Sequence, residues 1–134
     1  MSVFIDTSAL LALLDADEAC HAEARRIWER LLGDDEPLVT TNYVLVEVYA
    51  LAQRRLGSAA VRALTDDLLP VIDVDWIERS RHDSGVSAII AASRRDLSLV
   101  DAVSFETMRR HGIDRAFAFD RHFENSGFAR ITSQ

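Results

Sequence analysis

Apolar positions along the chain fall into short blocks of two kinds. Val3-Phe4-Ile5, Leu38-Val39-Thr40, Val71-Ile72-Asp73-Val74 and Arg115-Ala116-Phe117-Ala118-Phe119 are compact, β-leaning runs of strand length, and a fifth short one lies at Ala129-Arg130-Ile131. Between them the spacing turns helical. Leu10, Leu11, Leu13 and Leu14 follow the first run, and Ala24, Ile27, Trp28, Leu31 and Leu32 oppose His21, Arg25, Glu29 and Arg30, which predicts an amphipathic helix from Cys20 to Leu32. Thr41 or Asn42 caps a long helix that runs to Leu56 and stops at Gly57, and Ser58 opens another to Leu68. Asp75 reads as the N-cap of a stretch starting at Trp76, with a break predicted at Asp83-Ser84-Gly85 before the helix resumes through Ala92. Ser98 opens the last long helix, Leu99 to His111, and Gly112 closes it. Strands alternating with helices call for right-handed crossovers and a parallel sheet covered on both faces. The expectation is one α/β domain over residues 1–134, with a sheet of four to five strands.

Composition narrows what such a domain can do. The formal charge is −7, which argues against coating nucleic acid by bulk attraction, although a carboxylate cluster loaded with cations would neutralise part of it. All 15 basic residues are arginine. Chemistries that place a lysine on a phosphate, the P-loop among them, are therefore excluded. The pairs Arg25-Arg26, Arg54-Arg55, Arg94-Arg95 and Arg109-Arg110 are candidates to grip phosphates or to complement helix ends. The single cysteine, Cys20, has no partner for an internal disulfide, and the four histidines lack zinc-site spacing. No apolar run approaches the roughly 20 residues of a membrane span, and no signal peptide precedes the first strand, so the expected location is the cytoplasm.

Four acids stand out against this background. Asp6 ends the first strand and is followed by two hydroxyls, Thr7 and Ser8. Glu47 is the only charge in the run from Thr40 to Ala52, flanked by Val46 and Val48, where a carboxylate is expensive to desolvate without a cation or donors. Asp101 lies in the first turn of the helix opened by Ser98, and Asp120 ends the fourth strand much as Asp6 ends the first. Each has a purely structural alternative: Asp6 and Asp120 as N-caps, Ser98 and Asp101 as a capping box, Glu47 on a solvated helix face. Remote in sequence, all four fall at strand ends or in the first turns of the following helices, which a parallel sheet gathers on one edge. Carboxylates meeting there without a histidine or cysteine partner suit Mg2+ or Mn2+, and the matching chemistry is metal-assisted hydrolysis of a phosphodiester, with Thr7 and Ser8 orienting ligands or water.

Phe4-Ile5-Asp6-Thr7-Ser8-Ala9, the Glu47 helix, Leu97-Ser98-Leu99-Val100-Asp101-Ala102 and Phe119-Asp120-Arg121-His122-Phe123, in that order, resemble a PIN domain. More narrowly they are similar to the VapC-type ribonuclease toxins of prokaryotic toxin–antitoxin pairs. The resemblance runs from the first strand to Gly127-Phe128. It implies a three-layer sandwich and a Mg2+- or Mn2+-dependent endoribonuclease whose acidic cluster is Asp6, Glu47, Asp101 and Asp120. It also implies an RNA substrate, a homodimer and a cognate VapB-type antitoxin. The chain departs from the family pattern at Ala118, where many relatives carry Thr or Ser. Two alternatives within the class are an RNA-processing PIN nuclease without an antitoxin and a non-catalytic PIN-like binding module. A haloacid-dehalogenase-like phosphatase is excluded because Ser8 replaces its second acid and its lysine is missing, and a phosphoacceptor receiver domain lacks the same lysine.

Overall fold

The computed structural model describes residues 1–133. Strands β1 (Val3–Ile5), β2 (Leu38–Thr41), β3 (Asp73–Asp75), β4 (Arg115–Phe117) and β5 (Ala129–Arg130) form one parallel sheet in the order β3-β2-β1-β4-β5. Pairing sets Val3 beside Leu38, Phe4 beside both Val39 and Ala116, and Thr41 beside Asp75. Every residue of β1 and β2 is buried, as the central strands of a two-faced sheet require, whereas the edge strand β3 carries its two acids to partly wet surface.

The helices are α1 (Thr7–Leu14), α2 (His21–Gly33), α3 (Asn42–Arg55), α4 (Ser58–Ala63), α5 (Arg79–Ala92), α6 (Leu99–His111) and α7 (His122–Asn125). Right-handed crossovers from β1 through β2 to β3 put α1 to α4 on one face. The return from β3 to β4 reverses direction and puts α5 to α7 on the other, completing the three layers. On that second face Phe105 of α6 meets Phe123 of α7 edge-on at 5.1 Å, and Phe123 packs against Phe4 of β1 at 6.2 Å.

The caps follow the residue types. Thr41 Oγ1 accepts from Val44 N–H at 3.2 Å, and Ser98 Oγ accepts from Asp101 N–H at 3.0 Å. Gly112 closes α6 at φ 66°, a left-handed conformation that costs glycine little.

Four expectations are corrected. The third strand lies at Asp73–Asp75, because Pro70 sits inside a 3₁₀ turn, Leu69–Val71, that follows a π-helical turn at Leu64–Leu68 and holds Val71 out of the sheet. Asp75 is not an N-cap: it ends β3, and α5 begins only at Arg79. Nor is α5 broken at Asp83-Ser84-Gly85. Gly85 is buried against α6, and a Cβ there would stand 2.8 Å from Val103 Cγ2 and 3.1 Å from Leu99 Cδ1. The glycine lets two helices approach closely and ends nothing. At the fourth strand, regular pairing stops at Phe117, two residues before the expected end.

Candidate metal centre

In the strand order β3-β2-β1-β4-β5 the chain winds to one side of β1 and then returns to the other, so the switch point lies between β1 and β4. Open parallel sheets keep their ligands in the crevice at the carboxyl ends of such a pair. Asp6 leaves β1 there, its N–H donating to Phe117 O at 3.1 Å, and Asp120 follows the end of β4.

Ser8 ties the two exits together. Its Oγ donates to Asp6 Oδ2 at 2.7 Å, its N–H donates to the same oxygen at 3.2 Å, and the Oγ accepts from Phe119 N–H at 2.9 Å. The capping alternative for Asp6 is thus true as far as it goes, since this carboxylate caps α1. Both bonds land on Oδ2 and leave Oδ1 outside the cap. Thr7 lies in the first turn of α1, buried, with no hydrogen-bond partner for its Oγ1 among the described residues.

Asp101 enters from the first turn of α6, where Ser98 caps its N–H and the helix N-terminus favours an acid. Its Oδ2 lies 3.1 Å from His122 Nδ1, and the same nitrogen lies 3.2 Å from Asp120 Oδ1. Asp120 Oδ1 also accepts from His122 N–H at 2.9 Å; the N-cap of α7 is Arg121, so the expected Asp120 cap is instead a bond within the turn before the helix. One ligand atom each from Asp101, Asp120 and His122 fits within 4.8 Å of the others, close enough to share one cation. His122 corrects the expectation of a cluster without histidine. The signal was present in the spacing, Asp120 and His122 two apart on a tight turn, but zinc-type pairs were the wrong template.

The electrostatics bind Asp6 to this group. Burial pushes the Asp6 carboxyl up to about 6; the bonds from Ser8 oppose that rise and the nearby Asp101 charge adds to it. Asp101 is also raised, first by burial and then by Asp120, with His122 acting the other way. Asp101 therefore acts on Asp6, and Asp120 on Asp101, as like charges gathered at the switch point. Glu47 stands in the second turn of α3, half-buried, while its neighbour Val46 is 70% exposed. It lines an open pocket of about 370 Å³ with Asn42, Tyr43, Val46, His82 and Val100, and Val100 directly precedes Asp101. The structure brings Asp6, Asp101 and Asp120 together and sets Glu47 in the adjoining wall. Tyr43, which its place on an apolar helix face assigns to the core, is instead only partly buried and lines this pocket with His82, to whose Nδ1 its hydroxyl is hydrogen-bonded.

Comparison with known proteins decides the family. The PIN domain model matches residues 3–129. The chain belongs to the PIN-domain family. Among its curated PIN relatives, the 23S rRNA-specific endonuclease VapC20 of Mycobacterium tuberculosis is 37% identical over 131 residues, covering 96% of this chain and 97% of the relative. Ribonuclease VapC13 of the same species is 30% identical over 127 residues, covering 92% and 93%. The crystal structure of VapC20, described as a sarcin-ricin loop cleaving toxin, superposes with a TM-score of 0.84 at 35% identity over 97% of this chain and 98% of that one. VapBC2 from Rickettsia felis, bound to a promoter DNA fragment, shares the fold alone, with a TM-score of 0.71 at 8% identity over 98% of each chain. This PIN domain is a ribonuclease of the VapC type.

Proposed function

We propose that the protein is an endoribonuclease toxin that cleaves RNA with a Mg2+ or Mn2+ ion held by Asp6, Glu47, Asp101 and Asp120. The observation that carries this reading is the meeting of Asp6, Asp101 and Asp120 at the switch point, where burial, with the Asp101 charge adding to it, raises Asp6 to about 6. Such a set fits a hard divalent cation, since oxygen ligands that disfavour their own charges gain most from a positive one. When bound, the cation activates a water and stabilises the leaving oxygen of a phosphodiester. The chain's own residues do the positioning. Ser8 holds Asp6 Oδ2 and the Phe119 N–H, so the β1 and β4 exits keep a fixed spacing without the hydroxyl that Ala118 lacks. Thr7 Oγ1, buried and without a partner among the described residues, is available beside Asp6 to orient a ligand or water.

The substrate is RNA, and ribosomal RNA is the first class to test because the 37% identical relative is named as specific for 23S rRNA. Action on that substrate places the protein in the cytoplasm. A cognate VapB-type antitoxin and a homodimer complete the reading, supported by the VapC relationship. The experiment is induction of this chain in a host cell beside Asp6→Ala, Glu47→Ala, Asp101→Ala and Asp120→Ala versions at equal levels, with new RNA 5′ ends mapped. Growth arrest with discrete cleavage, lost in the four variants and relieved by co-expressing a cognate antitoxin, is the expected result. Well-folded wild type that arrests nothing and cleaves nothing would overturn it.

A further inference from the structure

We infer that the pocket between α3, α5 and α6 seats one base of the RNA strand beside the scissile bond, with Tyr43 as its stacking surface. This rests on the ribonuclease reading and deepens it. The pocket adjoins the metal centre through two walls, Glu47 and the Val100 that precedes Asp101. Its volume, about 370 Å³, is in the range of small-ligand sites, and the surface it presents is nearly all apolar, although Asn42, Glu47 and His82 are among the residues that line it. A flat heterocycle with a polar edge matches that lining.

The polar groups are held in place. Asn42 Oδ1 accepts from Ile77 N–H at 2.7 Å, which fixes the amide and leaves its NH2 group for a partner. Tyr43 is anchored by its hydroxyl to His82 Nδ1, with the two ring centroids 5.9 Å apart, so an ordered aromatic ring forms one wall. The Glu47 carboxylate is an acceptor suited to the exocyclic amine of a base. Charge points the same way. A chain of net −7 has little bulk attraction for RNA, so grip close to the carboxylates must come from stacking and apolar contact.

The test is an NMR titration of the full-length protein with AMP, GMP, CMP and UMP, using ribose 5-phosphate as the probe without a base. At least one nucleotide should saturably shift the Val46 and Val100 methyl signals, with ribose 5-phosphate at least about tenfold weaker. Tyr43→Ala should weaken that nucleotide by about tenfold, whereas Tyr43→Phe, which keeps the ring and guards against a folding artefact, should stay within about threefold. Equal binding of ribose 5-phosphate, or no effect of Tyr43→Ala on the nucleotide, would overturn the inference. A protein that cleaves no RNA in the induction experiment defeats the parent reading instead, and the titration still decides the pocket.

Discussion

In the proposed reaction a single carboxylate serves both architecture and chemistry, and Asp6 shows the consequence most clearly. It caps α1 with Oδ2 and is nonetheless buried near Asp101, which together with desolvation lifts its pKa to about 6. A raised folded-state pKa means the folded chain binds the proton more tightly than the unfolded one. Stability from that proton is present below the ordinary value of 3.8, is lost as pH rises towards 6, and is gone at pH 7.5. Asp6→Asn removes the charge and keeps an oxygen for Ser8, so the metal-free variant should be more stable than wild type by about 1–3 kcal/mol at pH 7.5. The same change should lower cleavage by about 100-fold or more, since the cation supplies several kcal/mol of the barrier reduction. Thermal unfolding in EDTA checks the first effect; a metal-free variant less stable than wild type would contradict it. His122 makes a second prediction. If its nitrogen joins the ligands, a borderline donor favours Mn2+ over Mg2+, so His122→Ala should weaken Mn2+ binding by about tenfold and Mg2+ binding much less. Calorimetry with each ion decides, and equal losses would mean that His122 only positions Asp101 and Asp120. The approach of Asp6, Asp101 and Asp120 was legible in the sequence because strand-end and helix-start positions are marked by residue type, whereas Glu47 stands in the adjoining wall. His122 was not, because the approach of its Nδ1 to Asp101 depends on how α7 returns across α6.

At the level of elements, what sequence conveyed well was local. Thr41, Ser98 and Gly112 mark helix ends where expected because a cap is settled within a few residues. What it misplaced depended on partners far along the chain. Asp75 looked like a cap, yet Arg81 donates to both its oxygens at 2.9 and 3.1 Å, and His111 Nε2 lies 2.8 Å away. Arg81 also donates to Thr107 Oγ1 at 2.9 Å, so one buried guanidinium fastens β3, α5 and α6 together. Burial alone would raise the Asp75 carboxyl, but the bonds from Arg81 and His111 outweigh it and hold the group below its ordinary value. A depressed folded-state pKa gives stability that is fully present above the unfolded value and fades as pH falls through the folded one. Wild type should therefore lose stability below about pH 4 more steeply than Arg81→Met, in which this linkage is cut. At pH 7, Arg81→Met leaves a partly buried Asp75 without its main partner and should cost about 2–4 kcal/mol, read from urea unfolding. Identical acid limbs for the two proteins would remove Arg81 from the account. The unbroken α5 teaches the same lesson: Gly85 reads as a breaker until Val103 and Leu99 of α6 are known to press against it.

Taken whole, the proposed activity sets a negative body against a polyanionic substrate. With net charge −7 the chain has little bulk attraction for phosphates, and the proposed catalytic edge is itself a group of carboxylates. Two consequences follow for RNA binding. The first is a shallow salt dependence. Counterion release scales with phosphates neutralised, about 0.7 per contact on a single strand, so two to four arginine contacts give a slope of log K against log salt of roughly −1.5 to −3. A basic RNA-coating protein would fall well beyond that. The second is that a divalent cation should govern binding as well as cleavage. Without it, Asp6, Asp101 and Asp120 face the phosphates as uncompensated charges; with it, their repulsion becomes attraction for the scissile group. Removing the cation with EDTA should thus weaken the affinity for a single-stranded RNA oligonucleotide by about tenfold, the equivalent of 1.4 kcal/mol. The cation should also raise the melting temperature, because a ligand at 100 times its dissociation constant adds about 2.7 kcal/mol to the folded state. The comparison that isolates the carboxylates is Asp6→Asn with Asp101→Asn, titrated with the same oligonucleotide in EDTA. This doubly neutralised protein should bind RNA more tightly than metal-free wild type while cleaving none of it. If it binds no better, the repulsion account fails and the acids act on the chemical step alone.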